Sequence, residues 1–202
     1  MEKKFELTGN LVINAFGIKL FQIKCTKSFK YANKGDLGGY VEKEDNLSQS
    51  GDARVYGDAL VYGDAWVYGN AWVSGNAQVY GDARVSGNAQ VSGDAWVSGN
   101  AQVYGDARVS GNARVYGDAW VYGDARVEND HMHCGFDCFG SCNRHTHAYK
   151  TKGNKVEITC GCFRGSLEEF EKKVEETHKG KIYEKQYKAI INLIKIKFGI
   201  DG

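Results

Sequence analysis

The residues of this sequence best suited to chemistry are the cysteines and histidines between positions 131 and 162. Nine potential metal ligands lie within this stretch: His131, His133, Cys134, Cys138, Cys142, His145, His147, Cys160 and Cys162. Thiolate and imidazole are the usual ligands of tetrahedral Zn²⁺, and four of them suffice. The sequence therefore allows a structural zinc ion, with the ligands drawn from Cys134, Cys138, Cys142, His145, His147, Cys160 and Cys162.

Two other interpretations of these residues remain open. The spacing Cys-x3-Cys-x3-Cys, followed later by Cys-x-Cys, matches no standard zinc finger and lacks the closing cysteine of iron–sulfur motifs. The same residues are also compatible with buried free thiols and surface histidines, without any cofactor. An enzyme with a site around Ser141, His145, His147 and His178 is the third interpretation.

These residues follow a long repeat that has no such chemistry. Residues 51–128 consist of thirteen uninterrupted copies of Gly-Asp/Asn-Ala-x-Val-Tyr/Ser, without His, Cys or Lys. Acyltransferases built from hexapeptide repeats use a histidine on a coil as general base, and here none is present. A relative of those enzymes is therefore the less favoured alternative, and a non-catalytic protein is expected.

The hexapeptide period predicts a solenoid, because each copy makes the same contacts as its neighbours. Ala and Val lie two places apart and share one face of a short strand, while residue x points the other way. Gly followed by Asp or Asn favours a turn. Three strands and three corners close a triangular coil of eighteen residues, with parallel strands between coils and an interior of Val and Ala.

The flanking segments are different, and they predict three domains. Residues 1–44 are expected to form a β-rich cap with a hairpin turn at residues 14–17, and residues 45–130 the solenoid. In the entry to the repeat, Leu47 is aligned with Ala and Gln49 with Val. Residues 131–202 predict an α+β domain with a strand at 155–160 and two helices.

The first of these helices begins at a capping box, Ser166 to Glu169, and ends at Gly180. The second runs from about Ile182 to Phe198. Its predicted apolar side is Ile182, Tyr187, Ile190, Ile191 and Ile194.

The outward positions of the repeat carry many aromatic and arginine side chains. All four tryptophans occupy position x, and seven tyrosines occupy the sixth position, which we expect to be exposed. The predicted binding surface comprises Trp66, Trp72, Trp96, Trp120, Tyr104, Tyr116, Tyr122, Arg108 and Arg114. Exposed Trp, Tyr and Arg are typical anchors of protein contacts. The alternative is ladder packing, in which stacked neighbours shield the strands.

Charge and hydropathy narrow the class of partner. The formal net charge is +1, which argues against a nucleic-acid partner. The repeat carries five Arg against nine acidic residues, a balance of −4, while residues 131–202 carry thirteen Lys/Arg against nine acidic residues, a balance of +4. No apolar stretch is long enough to cross a bilayer, and no signal-peptide core is present. We therefore expect no membrane contact, reduced cysteines and a cytoplasmic location.

The sequence resembles a family of phage- and prophage-encoded hexapeptide-repeat proteins. The likeness rests on GDLGGYVEKEDNLS at 35–48, the repeat itself, and CGCFRGSLEEFEKKVEETH at 160–178. The resemblance implies a mainly β fold, a left-handed parallel β-helix with a small C-terminal α+β domain, and a bacterial host cell. Proteins of this fold commonly form homotrimers. A scaffolding or binding protein that inhibits a host defence complex, such as an anti-CRISPR-like protein, is the function that this context implies.

Overall fold

The computed structural model describes residues 3–200; residues 1, 2, 201 and 202, which the predicted terminal domains include, lie outside the described residues. The chain divides into two compact units, Met1–Asp124 and Ala125–Gly202. The second unit thus begins at Ala125, whereas the sequence places the start of the last domain at residue 131.

Each hexapeptide of the repeat forms one two-residue strand made of position x and Val. In the first unit these strands are β4 (Arg54–Val55), β5 (Leu60–Val61), β6 (Trp66–Val67), β7 (Trp72–Val73), β8 (Gln78–Val79), β9 (Arg84–Val85), β10 (Gln90–Val91), β11 (Trp96–Val97), β12 (Gln102–Val103), β13 (Arg108–Val109), β14 (Arg114–Val115) and β15 (Trp120–Val121). The inward Ala and Val side chains of these strands are 0–2% exposed. The interior is therefore filled with small apolar side chains.

The strands stack into three parallel faces, as the eighteen-residue period predicts. Face I contains β5, β8, β11 and β14; face II contains β4, β7, β10 and β13; face III contains β6, β9, β12 and β15. Gln90 lies between Trp72 and Arg108, its neighbours eighteen residues away on either side. The fold is a β-solenoid, and its predicted class is confirmed.

At the corners, asparagines in the second position donate hydrogen bonds from one coil to the next. Each corner glycine has a φ between +60° and +73°, a conformation that other residues rarely adopt. The next residue stacks on its equivalent in the following coil: Asn76 donates to Asp94 at 2.9 Å, and Asn100 donates to Asp118 at 2.8 Å. An amide supplies the proton that two stacked carboxylates would lack.

The N-terminal segment forms an antiparallel sheet that continues face I. Its strands are β1 (Phe5–Ile13), β2 (Lys19–Cys25) and β3 (Leu37–Val41), and the predicted hairpin turn at residues 14–17 is confirmed. β3 pairs in parallel with β5, with Val41 opposite Val61. The open edge of the first coil on this face is thereby covered, which prevents it from pairing with another chain.

The alignment of Leu47 with Ala and Gln49 with Val was wrong. Across the 3₁₀ helix at Glu44–Asn46 the six-residue spacing is kept, so Leu47 pairs with Val67 and occupies a Val position; the two extra residues of the first coil lie between Leu47 and β4. The side-chain oxygen of Gln49 accepts the backbone N–H groups of Lys4 (2.7 Å) and Phe5 (3.2 Å). The departure from the repeat thus supplies hydrogen bonds to the start of β1.

The second unit contains one repeat strand, β16 (Arg126–Val127), a 3₁₀ helix at Asp130–Met132, a four-stranded antiparallel sheet and two helices. The sheet strands are β17 (His133–Phe139), β18 (Arg144–Lys150), β19 (Val156–Cys160) and β20 (Phe163–Ser166), in that order. The helices are α1 (Leu167–His178) and α2 (Ile182–Phe198). No helix in residues 3–200 is long and apolar enough to cross a membrane.

The helices pack one apolar side against the sheet. The capping box of α1 is present: Ser166 and Glu169 each bond the other's backbone N–H. Of the predicted apolar side of α2, Tyr187, Ile190, Ile191 and Ile194 are buried. Ile182 was placed there wrongly, because it lies at the first turn of α2 and is 61% exposed.

Candidate binding surfaces and the cysteine–histidine sheet

Face III presents a column of large outward side chains. Trp66, Arg84, Gln102 and Trp120 lie in line on successive coils. Trp66 is 41% exposed and Trp120 is 38% exposed, large fractions for indole side chains.

Tyrosines at the sixth position extend this apolar surface of face III. The ring of Tyr68 stacks on that of Trp66, with centroids 4.1 Å apart. Tyr104 and Tyr122 stack with centroids 4.8 Å apart and planes within 3°. Ladder packing and an exposed surface thus occur together, because neighbouring rings cover one another's faces and leave their outer edges in solvent.

Face I carries the second exposed cluster. Trp96 is 38% exposed, and the Arg114 guanidinium lies 5.2 Å from its ring centroid, within the range of a cation–π contact. Tyr116 is 66% exposed on the same face. Trp and Arg held together in this way are preorganised for a protein contact.

The sequence predicts that the sixth position is exposed throughout, but the structure buries some of these side chains. Tyr62 is only 4% exposed, because it stacks beneath Tyr80 at 4.9 Å. Its hydroxyl donates to Gln78 at 3.3 Å, and burial raises the pKa of Tyr62 to about 12. Ser74 and Ser86 are buried as well.

The two predicted binding residues on face II differ in their exposure to solvent. Arg108 is exposed, as expected, but Trp72 is only partly exposed. The Arg54 guanidinium lies 4.6 Å from the Trp72 ring, and Tyr56 meets that ring edge-on at 5.8 Å. Trp72 is therefore less exposed than the sequence predicts, since neighbouring side chains cover part of it.

The sheet of the second unit separates the predicted cysteine and histidine ligands. Side chains alternate between the faces of a strand. Cys134, opposite Ala148 in the register, and Cys160 both belong to the apolar cluster formed with α1 and α2. His145 and His147 alternate with Thr146 and Ala148 along β18 and therefore point to the other face.

The cysteines do not converge on one point. Cys138, Cys142 and Cys162 are exposed. Cys160 is buried and accepts a hydrogen bond from the Thr146 hydroxyl at 3.3 Å. Burial raises the pKa of the Cys134 thiol to about 11, which disfavours the thiolate that a metal requires. Within residues 3–200, no three His, Cys, Asp or Glu side chains are placed to hold one metal ion, so the predicted set does not fit zinc.

Three histidines, His133, His145 and His147, lie together on the face opposite the helices. His133 Nδ1 lies 3.0 Å from His147 Nε2, a distance typical of a hydrogen bond. His145 Nδ1 lies 2.5 Å from the carboxylate of Asp137. The His145 ring covers Gly135, where an added Cβ would lie 2.5 Å from the ring. The alternation His-x-His-x-Tyr signals a shared face, but the pairing that brings His133 to it is not evident from the sequence.

The four residues considered for an enzyme do not form one site. Ser141 and His178 line a cavity of about 200 Å³ beside the helices, together with Cys142 and Tyr187. The His178 ring stacks on Tyr187 at 5.4 Å. His145 and His147 lie on the opposite face of the sheet, so the structure brings the pairs to different places.

A comparison of the sequence with known protein families supports the solenoid fold. A family model described as the YdcK beta solenoid repeat matches residues 53–69, 77–93, 89–105, 101–117 and 107–123. The matched segments lie entirely within the hexapeptide repeat. No curated protein matches the chain. The fold and the repeat thus define a β-solenoid repeat protein, similar in its coils to the YdcK repeat.

Proposed function

We propose that this protein is a non-catalytic binding or scaffolding protein that acts through protein–protein contacts on the outer faces of its solenoid. The observation that carries the proposal is the exposure of Trp66 and Trp120 on face III and of Trp96 on face I. The solenoid interior is filled with Ala and Val, which leaves no room for a substrate. Its chemistry therefore lies on the outside.

Self-association is the first contact that we propose. A closed trimer needs two different surfaces on each copy, because one patch meets another around a ring. Faces I and III are the two that present exposed tryptophans, whereas Trp72 on face II is largely covered. We therefore propose that face III of one copy packs against face I of the next.

The size of these faces indicates how strong the proposed interface between two copies should be. Four coils at a spacing of ~4.8 Å are roughly 20 Å tall, so one face is smaller than the ~800 Å² that a standard interface buries on each partner. An interface at this lower limit depends on its few large anchors. Truncation of one tryptophan should then cost about 2 kcal/mol and change the oligomer visibly.

Light scattering coupled to size exclusion tests the trimer. The wild-type protein is expected to give about three times 22.3 kDa. Trp66→Ala, Trp120→Ala and Trp96→Ala should each shift the equilibrium towards monomer. Arg108→Ala is the matched control, since Arg108 occupies the same position x and is exposed on face II. A wild-type monomer at micromolar concentration would refute self-association.

A host defence complex is the foreign partner that we propose. The support is the resemblance of the flanking motifs to phage- and prophage-encoded proteins, together with the aromatic surface; the setting would be the cytoplasm of a bacterium. Affinity capture from a host lysate, compared between the wild type and a Trp66→Ala/Trp120→Ala variant, identifies proteins that depend on face III. Proteins retained equally by both would not support this partner.

The same variants separate a binding protein from an enzyme. If the function is binding, His145→Ala and His178→Ala should leave complex formation and biological activity intact, while the tryptophan variants reduce both. The opposite result, loss of function in the histidine variants alone with assembly preserved, would show that the site lies in the second unit.

A further inference from the structure

A cavity of the first unit lies where the N-terminal sheet meets the first coil. Its volume is about 530 Å³, within the range of small-molecule sites. The lining combines aliphatic side chains of β2 and the first coil with five aromatic rings. These rings belong to Phe5, Phe29, Tyr31, Tyr56 and Trp72. An apolar cavity with aromatic walls favours a ligand that has a ring of its own.

Two cations line this cavity. Lys4 is only 2% exposed, and its ammonium donates to the backbone oxygens of Ala53 (2.7 Å) and Gly51 (3.3 Å). Arg54 is the second cation. Within residues 3–200, neither has a carboxylate oxygen within 4 Å. Asp52 attracts Lys4 from beyond that distance, but no carboxylate pairs directly with either cation, so a bound anion at this place would be stabilised.

The aromatic walls orient the arginine. The Arg54 guanidinium lies 3.8 Å from the centroid of Tyr31 and 4.6 Å from the Trp72 ring. A guanidinium held against aromatic faces keeps its N–H groups at the edge of its plane, the geometry that binds a carboxylate. Its Nη1 donates a long hydrogen bond, 3.4 Å, to the Asp52 carbonyl.

The acidic and thiol groups of the lining do not take the place of such an anion. Asp36 accepts the backbone N–H of Asn33 at 2.7 Å. Burial, with a further contribution from Asp36, raises the pKa of the Cys25 thiol, which therefore stays neutral. The buried indole N–H of Trp72 has no hydrogen-bond acceptor among the described residues. The lining thus offers the donors of Arg54, Lys4 and Trp72, while its one carboxylate, Asp36, already accepts a backbone N–H.

We propose that this cavity is a binding site for a small aromatic carboxylate. The ring would lie among the aromatic and aliphatic walls, and the carboxylate would pair with Arg54 and Lys4. A cationic ligand would meet two positive charges. A bare phosphate would leave the apolar walls unused. This site is separate from faces I and III, so the inference does not depend on the proposed function.

Saturation-transfer NMR on the full chain tests the proposal, with benzoate and 1-naphthoate as probes. Benzamide, the neutral isostere of benzoate, should bind about tenfold more weakly or worse, because it cannot form a charge-assisted hydrogen bond. Arg54→Gln should reduce benzoate binding to the level of benzamide. Arg108→Gln is the matched control: it removes an exposed arginine from the same face and should bind benzoate like the wild type.

The remaining arms of the experiment distinguish the alternatives. The Trp66→Ala/Trp120→Ala variant should bind benzoate normally even if it no longer associates, which separates this site from the interface. Circular dichroism of Arg54→Gln confirms that a loss of binding is not a loss of fold. Equal binding of benzoate and benzamide, displacement of benzoate by millimolar inorganic phosphate, or no binding of either carboxylate at 10 mM would each overturn the proposal.

Discussion

Replacing Gly99 by alanine should destabilise the solenoid more than the same change at Gly117, one coil further along the same corner. Both glycines have nearly the same backbone, with φ of +65° and +66°. Both variants therefore carry the same strain of a left-handed residue, about 1–2 kcal/mol. Both also gain the same offset, roughly 0.4–1 kcal/mol, from a less flexible unfolded chain.

The difference between the two positions is the neighbouring coil. A Cβ on Gly99 would lie 2.9 Å from the backbone nitrogen of Gly117 and 3.2 Å from its oxygen. A Cβ on Gly117 meets no atom within 4 Å in the described part of the chain. Backbone atoms cannot rotate away, so Gly99→Ala must separate the two coils locally. Overpacking of this kind costs about 1–3 kcal/mol.

Urea unfolding followed by far-UV circular dichroism measures this difference. For a slope of about 1–3 kcal/mol per molar urea, Gly99→Ala should unfold at roughly 1 M lower urea than Gly117→Ala. Repeat arrays can unfold in parts, so both curves should be compared at the same wavelength and protein concentration. Midpoints that agree within ~0.2 M would refute the idea that stacked corners require glycine because of the next coil.

Further predictions concern titration, thiol reactivity and metal. Burial lowers the pKa of Lys4 from 10.5 to about 8. Between these two pH values the unfolded chain binds more protons than the folded chain, so the free energy of unfolding should rise with pH. Below pH 8 the cost of burying the charged lysine is fully present. Lys4→Met should abolish the rise between pH 7 and 9.5 in urea midpoints, and an unchanged rise would contradict the assignment. At pH 8, iodoacetamide should label exposed Cys138 and Cys162 well before Cys134, as judged by mass spectrometry, because a thiol with a pKa of about 11 is ~0.1% thiolate. Protein purified without a histidine tag should contain far less than one zinc per chain by elemental analysis; a stoichiometric value would mean that the sheet described above rearranges.

Part of the candidate site was predictable because it depends on local periodicity. Position x points outward in every hexapeptide, and so Trp66, Trp96 and Trp120 are exposed as the repeat predicts. The alignment of Trp66, Arg84, Gln102 and Trp120 also follows from the eighteen-residue coil.

Contacts between distant segments decided the rest. Tyr62 and Trp72 obey the same repeat as their exposed equivalents, yet Tyr80 covers one, and Arg54 with Tyr56 covers the other. The sequence did not indicate β17, β18 or β20, whose pairing separates Cys134 and Cys160 from the histidines.

The sequence alone therefore determined the solenoid, its three faces and its apolar interior, because thirteen equal hexapeptides repeat one set of short-range contacts. Only the tertiary structure decided which outward side chains stay exposed, and it alone created the cavity around Lys4 and Arg54. The reason is physical: these features depend on residues as far apart as Lys4 and Trp72, and a local pattern carries no information about such long-range packing.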